Sequence, residues 1–308
     1  MKSARQAIDG ILLLNKPAGL SSNTALQRAR RLLNAAKAGH TGTLDPFAEG
    51  LLPLCFGEAT KFSQFLLEAD KTYRAVMQLG VTTTTADPEG EVLEVCPVHA
   101  TTAQIAQAMA QFRGEIEQTP PMYSALKHAG KPLYEYARAG VTLPRRARRV
   151  CISRLELLGL DGDRVSFEVR CSSGTYIRTL AEDLGRVLSC GAHLVRLVRT
   201  ATGGFDLTQS STLDDLEARP QTERTALLLA PDRLLAHLPA LPLQEAQTLA
   251  LRRGQAVACP GPAGLLRLYG AEGRFVGIGQ RADDGLLRPK RLMAHQTAPQ
   301  NQAKTSPY

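Results

Sequence analysis

The sequence contains no apolar stretch approaching the roughly 18 residues that a membrane-spanning helix needs. Its greasiest region, residues 225–243, is interrupted by Pro231, Asp232, Arg233, His237 and Pro239, so no membrane partner is expected. The start, MKSARQAIDGILLLNKP, is basic, but its apolar run covers only Ile11 to Leu14 and no small-residue cleavage site follows. That disfavours a secretory signal and points to a cytoplasmic protein. Six cysteines form no C-x-x-C pair, and no histidine stands at zinc-finger spacing. Neither a disulfide framework nor a metal site is expected. The G-x-G-x-x-G and G-x-x-x-x-G-K-[ST] patterns are missing as well, which disfavours dinucleotide and P-loop folds. No repeat of solenoid period occurs.

What is present is ordinary globular material: 308 residues, 44% hydrophobic and 21% charged, enough for one large domain and a small one. The charge is less ordinary. The formal net charge is +8, and most of it is concentrated in two places. Residues 127–154 hold eight Lys or Arg against Glu135, and residues 1–40 hold seven against Asp9. The intervening 41–126 has four bases and eleven acids. Two separated basic clusters on a basic chain favour a nucleic-acid backbone as partner.

The spacing of Leu26, Ala29, Leu33 and Ala36 predicts a helix that starts at Ser22 or Asn23 and stops at Gly39. Alternation predicts strands at 71–80, with Tyr73, Ala75, Met77 and Leu79 on one face, and at 164–171. An SSGT turn then leads into a helix carrying Ile177, Leu180, Ala181 and Leu184. This irregular order suits an α+β fold with a mixed or antiparallel sheet. Two prolines in HLPALPL read as a linker, and the short Gly-broken apolar runs after it suggest a small β-barrel module. From residue 295 onward nothing is periodic, and a disordered tail is expected.

The most unusual segment is GHTGTLDPFAEGLLP, residues 39–53, where an Asp precedes a Pro in a Gly- and Thr-rich loop. The residue before proline is kept out of helix, so the Asp45 carboxylate can project from the loop. Phosphoryl-transferring ATPases have a similar KTGTLT loop, but Gly39 stands where their nucleophilic Asp would be. With NKPAGLSS (15–22), KTYRAVMQLG (71–80), PPMYSALKHAGKPLYEYAR (120–138), CSSGTYIRTLAEDLG (171–185) and GAHLVRLVRTATGGF (191–205), the segment resembles the TruB family of tRNA pseudouridine synthases. The order and spacing of these motifs match over most of residues 10–205.

The resemblance implies a pseudouridine-synthase fold, α+β with a mixed, largely antiparallel sheet flanked by helices. It assigns 1–237 to catalysis, with a basic tRNA-clamping insertion at about 121–152, and 238–294 to a PUA-like RNA-binding module. The implied activity is isomerisation of the T-loop uridine at tRNA position 55, by base flipping and a nucleophilic aspartate, in a monomer without cofactor. It makes Asp45 the nucleophile, Tyr73 the stacking group and C5 proton acceptor, and Arg178 the partner that orients Asp45 and lowers its pKa. Tyr176, Leu197 and His40 are implied to contact the substrate. Lys16 and Pro17 would support the catalytic loop, and Lys127, Lys131, Arg145, Arg146, Arg148 and Arg149 would hold RNA. A pure tRNA-binding factor would not need Asp45, Tyr73 and Arg178 together, although assistance to tRNA folding can coexist with catalysis. An Asp-dependent glycoside hydrolase would need a second carboxylate motif.

Overall fold

A computed structural model describes residues 4–294, and the expected tail 295–308 lies outside them. The chain opens with β1 (Gly10–Lys16), buried at nearly every position because both of its faces are covered. Helix α1 (Ser22–Leu32) follows. Its N-cap is Ser21, which accepts from the Thr24 amide at 3.0 Å, and not Ser22 or Asn23. The helix also ends well before Gly39. Asn34 takes a left-handed φ of 51°, a conformation that asparagine tolerates better than most residues. Arg30 closes the end by donating to the carbonyls of Ala35 and Ala36. The chain is then free to form β2 (Ala38–His40), paired with β3 (Glu49–Phe56).

A 3-10 turn and the short helix α2 (Ser63–Leu67) lead to β4 (Lys71–Leu79), whose inward face carries Tyr73, Ala75, Met77 and Leu79 as the alternation predicts, and Lys71 as well. After the hairpin β5 (Val81–Thr83) and β6 (Val92–Val95) come helix α3 (Thr102–Ala110) and β7 (Gly114–Gln118). A small hairpin, β8 (Lys127–His128) with β9 (Lys131–Pro132), and helix α4 (Leu133–Arg138) stand outside the main sheet. The chain re-enters it with β10 (Arg148–Asp161) and β11 (Arg164–Cys171), then continues through α5 (Ile177–Val187), β12 (Ala192–Thr202), β13 (Phe205–Asp206) and α6 (Leu213–Ala218).

The main sheet runs β1-β3-β12-β4-β11-β10-β7. It is α+β and mixed: every pairing is antiparallel except β3 with β12, where Gly50 lies beside Arg199. Gly50 is needed there. Its φ is +100°, and a Cβ would lie 2.4 Å from the Arg199 carbonyl oxygen. Residues of α1, α3, α5 and α6 bury one face of the sheet in a single core around Leu14, Ala29, Met77, Phe167 and Leu184.

The C-terminal unit comprises β14 (Ala240–Pro242), α7 (Glu245–Arg252), β15 (Val257–Ala258), β16 (Gly264–Tyr269), β17 (Phe275–Arg281) and β18 (Leu286–Leu292). Its five strands form one sheet in the order β14-β16-β17-β18-β15, a curled half-barrel. The HLPALPL segment is only partly a linker, because Ala240 to Pro242 pair in parallel with β16. The unit is also not independent in packing. Ile278 and Phe275 join Ile11, Leu13, Phe62, Leu234 and Leu235 in a core under the far face of β1 and β3. Lys61 donates to the Leu292 carbonyl at 3.0 Å, and Tyr269 donates to Asp232 at 2.8 Å.

The rings of Phe62 and Phe275 meet edge to face at 5.4 Å between centroids. Phe62→Ala should cost about 3–5 kcal/mol of stability. In a double-mutant cycle with Phe275→Ala, chemical denaturation should give a coupling of about 0.5–1.5 kcal/mol. Simple additivity would mean that the two units do not share this core.

Candidate active site

Asp45 sits in the loop between β2 and β3, and that loop is fastened on both sides of it. The buried Ser22 hydroxyl donates to the Leu44 carbonyl at 2.9 Å and accepts from the Leu44 amide at 2.8 Å. On the other side, the Pro46 carbonyl accepts from the Gly19 amide at 2.8 Å and from Lys16 Nζ at 3.2 Å. Lys16 is fully buried and also donates to the carbonyls of Pro17 and Leu20. Burial pushes its ammonium down to about 8, against the pull of the Asp45 and Glu49 carboxylates. Thr41, also fully buried, donates to the Pro53 carbonyl. Residues 15–22 therefore act on the loop through backbone carbonyls and amides, which explains why the NKPAGLSS stretch is tied to the Asp-Pro loop.

Arg178 enters from the first turn of α5 and is 3% exposed. Its Nε lies 2.9 Å from Asp45 Oδ2, and its Nη1 lies 3.5 Å from Asp87 Oδ2. The same guanidinium donates to the carbonyls of Thr85 at 3.0 Å and Tyr123 at 2.6 Å. A cation near a helix N-terminus faces the wrong end of the dipole, and here two carboxylates and two carbonyls compensate. The Asp45 side chain remains about a third open to the cleft. Its carboxyl is nevertheless raised above the usual aspartate value: desolvation outweighs the attraction of Arg178, and Asp87 adds repulsion. Arg178 does pull the Asp45 pKa down as expected, but the net shift is upward. Arg178 opposes a larger desolvation effect.

A cleft of about 400 Å³ opens over Asp45, Tyr73, Tyr176, Arg178 and Leu197. Tyr73 and Leu197 are nearly covered, and burial raises the Tyr73 phenol, so it is neutral at ordinary pH. Tyr176 is fixed by Gln118, whose side-chain amide accepts from the Tyr176 amide at 2.7 Å and donates to its carbonyl at 3.0 Å. His40 does not line this cleft. It borders a second one of about 510 Å³ on the other side of Asp45, with Asp87 and Glu89. Burial, followed by the charge of Arg199, lowers the His40 pKa.

The basic run is not uniform. Lys127, Lys131, Arg146 and Arg149 are exposed, with Lys131 paired to Glu135 at 3.8 Å. Arg145 instead donates to the Pro120 carbonyl. Arg148 donates to the Gly174 carbonyl, stacks 5.0 Å from the Tyr176 ring centroid, and lines the cleft. Arg148 and Arg149 begin strand β10, so the run spans the end of an excursion and the edge of the sheet.

Sequence reasoning missed Ser22, Asp87, Gln118, Lys71 and Arg199. A signal existed for two of them. Asp87 precedes Pro88 as Asp45 precedes Pro46, and Arg199 shares the strand parity of Leu197. Ser22 and Gln118 act only through tertiary contacts.

Similarity to known proteins places this fold and site in an RNA-modifying class. The model of the TruB family pseudouridylate synthase N-terminal domain matches residues 30–177, and the models of the tRNA pseudouridylate synthase B and pseudouridine synthase II TruB C-terminal domains match 178–238 and 239–293. A tRNA pseudouridine synthase B from Thiobacillus denitrificans is 61% identical over 96% of this chain and 99% of its own. One from Aromatoleum aromaticum is 57% identical over 94% of each chain. The chain belongs to the TruB family of pseudouridine synthases. Among solved structures, a Cbf5-Nop10-Gar1 complex is similar with a TM-score of 0.68 and 30% identity over 88% of this chain and 78% of that one. An H/ACA RNP bound to a substrate RNA containing 2'-deoxyuridine gives 0.70 and 25% over 93% and 85%.

The competing influences on Asp45 can be separated by sign. Its carboxyl titrates above the ordinary 3.8 because of desolvation first and Asp87 repulsion among the rest. Asp87→Asn should therefore lower the midpoint of an Asp45 carboxyl 13C titration, whereas Arg178→Met should raise it further. Shifts of the same sign in both variants would refute this account.

Proposed function

We propose that the protein isomerises uridine to pseudouridine in tRNA, at position 55 of the T loop, with Asp45 as nucleophile. The observation that carries this reading is the pairing of a clamped, partly open Asp45 with a buried Arg178 at the floor of a base-sized cleft. Pseudouridylation breaks the N1–C1′ bond, turns the base and rejoins it through C5. The reaction calls for a carboxylate at the sugar, a proton acceptor for C5 and a pocket for an extruded base. Asp45 fills the first role and Tyr73 the second, while Leu197 and Tyr176 enclose the flipped uracil. Arg178 orients the nucleophile and keeps it ionised in a desolvating site. Lys16 and Pro17 hold the loop.

His40, on the far side of Asp45, is placed for RNA next to the flipped nucleotide. Lys127, Lys131, Arg146 and Arg149 supply phosphate contacts from the surface. Arg145 and Arg148 support the insertion and the cleft wall, respectively, while adding to the same field. Residues 1–237 form the catalytic unit and 238–294 a PUA-like RNA-binding module. The protein works in the cytoplasm as a monomer, with no cofactor required by an internal rearrangement of bonds.

Incubating the protein with unmodified tRNA and mapping pseudouridine at nucleotide resolution tests the reading directly. Asp45→Asn should abolish product while leaving tRNA affinity little changed, since only the reacting oxygen is lost. Normal turnover by that variant would overturn the mechanism.

The exposed cations give a second test. Replacing Lys127, Arg146 and Arg149 together with Ala should reduce the slope of log affinity against log salt by roughly 2 to 3, at about 0.7–0.9 per phosphate contact. An unchanged slope would show that these residues do not touch RNA.

A further inference from the structure

The cleft holds a buried charge that the mechanism above does not use. Arg199, on β12, is 1% exposed and stands directly across the sheet from Tyr73. Its Nε donates to the Leu51 carbonyl at 2.7 Å. The guanidinium lies beneath the Asp45 loop, where a Cβ on Gly42 would be 3.6 Å from its Nη1. Its Nη2 is buried and has no hydrogen-bond partner among the described residues. Among the described residues, Arg199 forms no ion pair. A buried cation without a counter-charge is costly unless an anion forms beside it. Asp45 and Asp87 are already engaged by Arg178. The neighbouring Lys71 is spent too: its ammonium donates to the carbonyls of Leu67 and Ala69 at 2.6 Å each and to Leu66 at 3.4 Å.

We propose that Arg199 is a positioning residue that acts through Tyr73, its charge and free N–H stabilising the phenolate that Tyr73 transiently becomes during the rearrangement. The inference rests on the pseudouridylation reading and deepens it. A buried, neutral phenol is a poor base, so it must first give up its own proton. The bookkeeping closes without any outside acid or base. An Asp45 carboxylate oxygen bonds to C1′ as the N1–C1′ bond breaks with its electron pair on the base, leaving uracil as an anion. The Tyr73 phenol protonates N1, and the resulting phenolate is held by Arg199. The base turns, C5 bonds to C1′ as the C1′–O bond to Asp45 breaks and returns its electron pair to the carboxylate, and the C5 proton passes to the phenolate, restoring the phenol. One proton leaves C5 and one arrives at N1, as the isomerisation requires.

The groups that face the phenol are Arg199 from β12, Cys171 from β11, Lys71 from its own strand and Asp45 from the loop. Burial raises the phenol and Arg199 pulls it back down, although no hydrogen bond of ordinary geometry joins the two. Burial pushes the Cys171 thiol up to about 12, so that thiol stays neutral at ordinary pH.

The test places difluorotyrosine at position 73 of the full-length protein, which brings the phenol into an accessible pH range and gives it a 19F signal. Without tRNA, Arg199→Met should move the 19F titration to higher pH, and Arg199→Lys should lie between it and the parent. In the natural-tyrosine protein, Arg199→Met should lower the single-turnover rate at saturating tRNA by about tenfold or more, within the span typical of proton-transfer catalysis, with little change in affinity. Arg199→Lys should recover part of that rate. If Arg199→Met does not fold by circular dichroism, the same two readouts on Arg199→Lys decide the matter. An unmoved titration, an undiminished rate, or a loss of affinity alone would overturn the proposal. Absence of pseudouridine from the wild type would instead overturn the functional reading, and the titration would still report on the Arg199–Tyr73 pair.

Discussion

The site depends on one buried guanidinium. Arg178 draws together four segments far apart in the chain: the Asp45 loop, the Thr85 to Asp87 turn, the carbonyl of Tyr123 and its own helix α5. A cation that is 3% exposed and placed at a helix N-terminus carries both a desolvation cost and an unfavourable dipole. It is stable only while all of its partners are present. That requirement acts in reverse on the partners. Each is held where Arg178 needs it, and Asp45 inherits a fixed direction as a consequence. The excursion over residues 119–147 is bound to the same group through Tyr123, so the covering of the cleft and the orientation of its carboxylate are one arrangement.

The loop geometry gains from being fixed before any substrate arrives, because stabilisation in a reaction is greatest when dipoles need no reorganisation. Ser22 grips Leu44 by both its amide and its carbonyl, and Lys16 grips Pro46. The residue between them has little freedom left. Lys16 and Lys71 both titrate near 8 because burial penalises their charge. Each supplies its ammonium protons to backbone carbonyls and neither reaches Asp45, so their role in the site is structural.

Much of this was legible in the sequence. Strands 71–79 and 164–171 follow from alternation, and α5 follows from its apolar spacing. The Asp45 loop stands out because an Asp precedes a Pro among glycines and threonines, but a bare Asp-Pro is most often a structural turn, and only the family motifs around it single out Asp45. Tyr73, Arg178, Tyr176 and Leu197 are singled out only by family motifs, since a buried strand tyrosine or a leucine in an apolar run has no chemical signature of its own. The apolar spacing predicts a longer helix α1 because Ala36 continues the stripe of Leu26, Ala29 and Leu33, while the left-handed turn at Asn34 and the Arg30 cap that end it are local geometry. Charge runs are misleading for a similar reason. LPRRARR reads as one patch, yet the chain turns into a strand within it, and Arg145 and Arg148 point into the fold while Arg146 and Arg149 do not.

The balance of buried charge around the cleft favours the ionised form of a carboxylate that desolvation would otherwise neutralise. Four buried or nearly buried cations, Lys16, Lys71, Arg178 and Arg199, stand around the cleft and its Asp45 loop, and Arg178 pairs with both Asp45 and Asp87. Two of these, Lys16 and Lys71, are shifted toward neutrality, and the charge of Arg199 contributes to both shifts. The two guanidiniums cannot respond in that way, because arginine does not lose its proton in proteins. The permanent buried positive charge of the site is therefore carried by Arg178, beside the carboxylate, and Arg199, beside the phenol. Lysines in these positions would share the desolvation cost by deprotonating, and the field at Asp45 and Tyr73 would then vary with pH. With arginines it is constant, so the protonation of Asp45 and Tyr73 is set by their own surroundings.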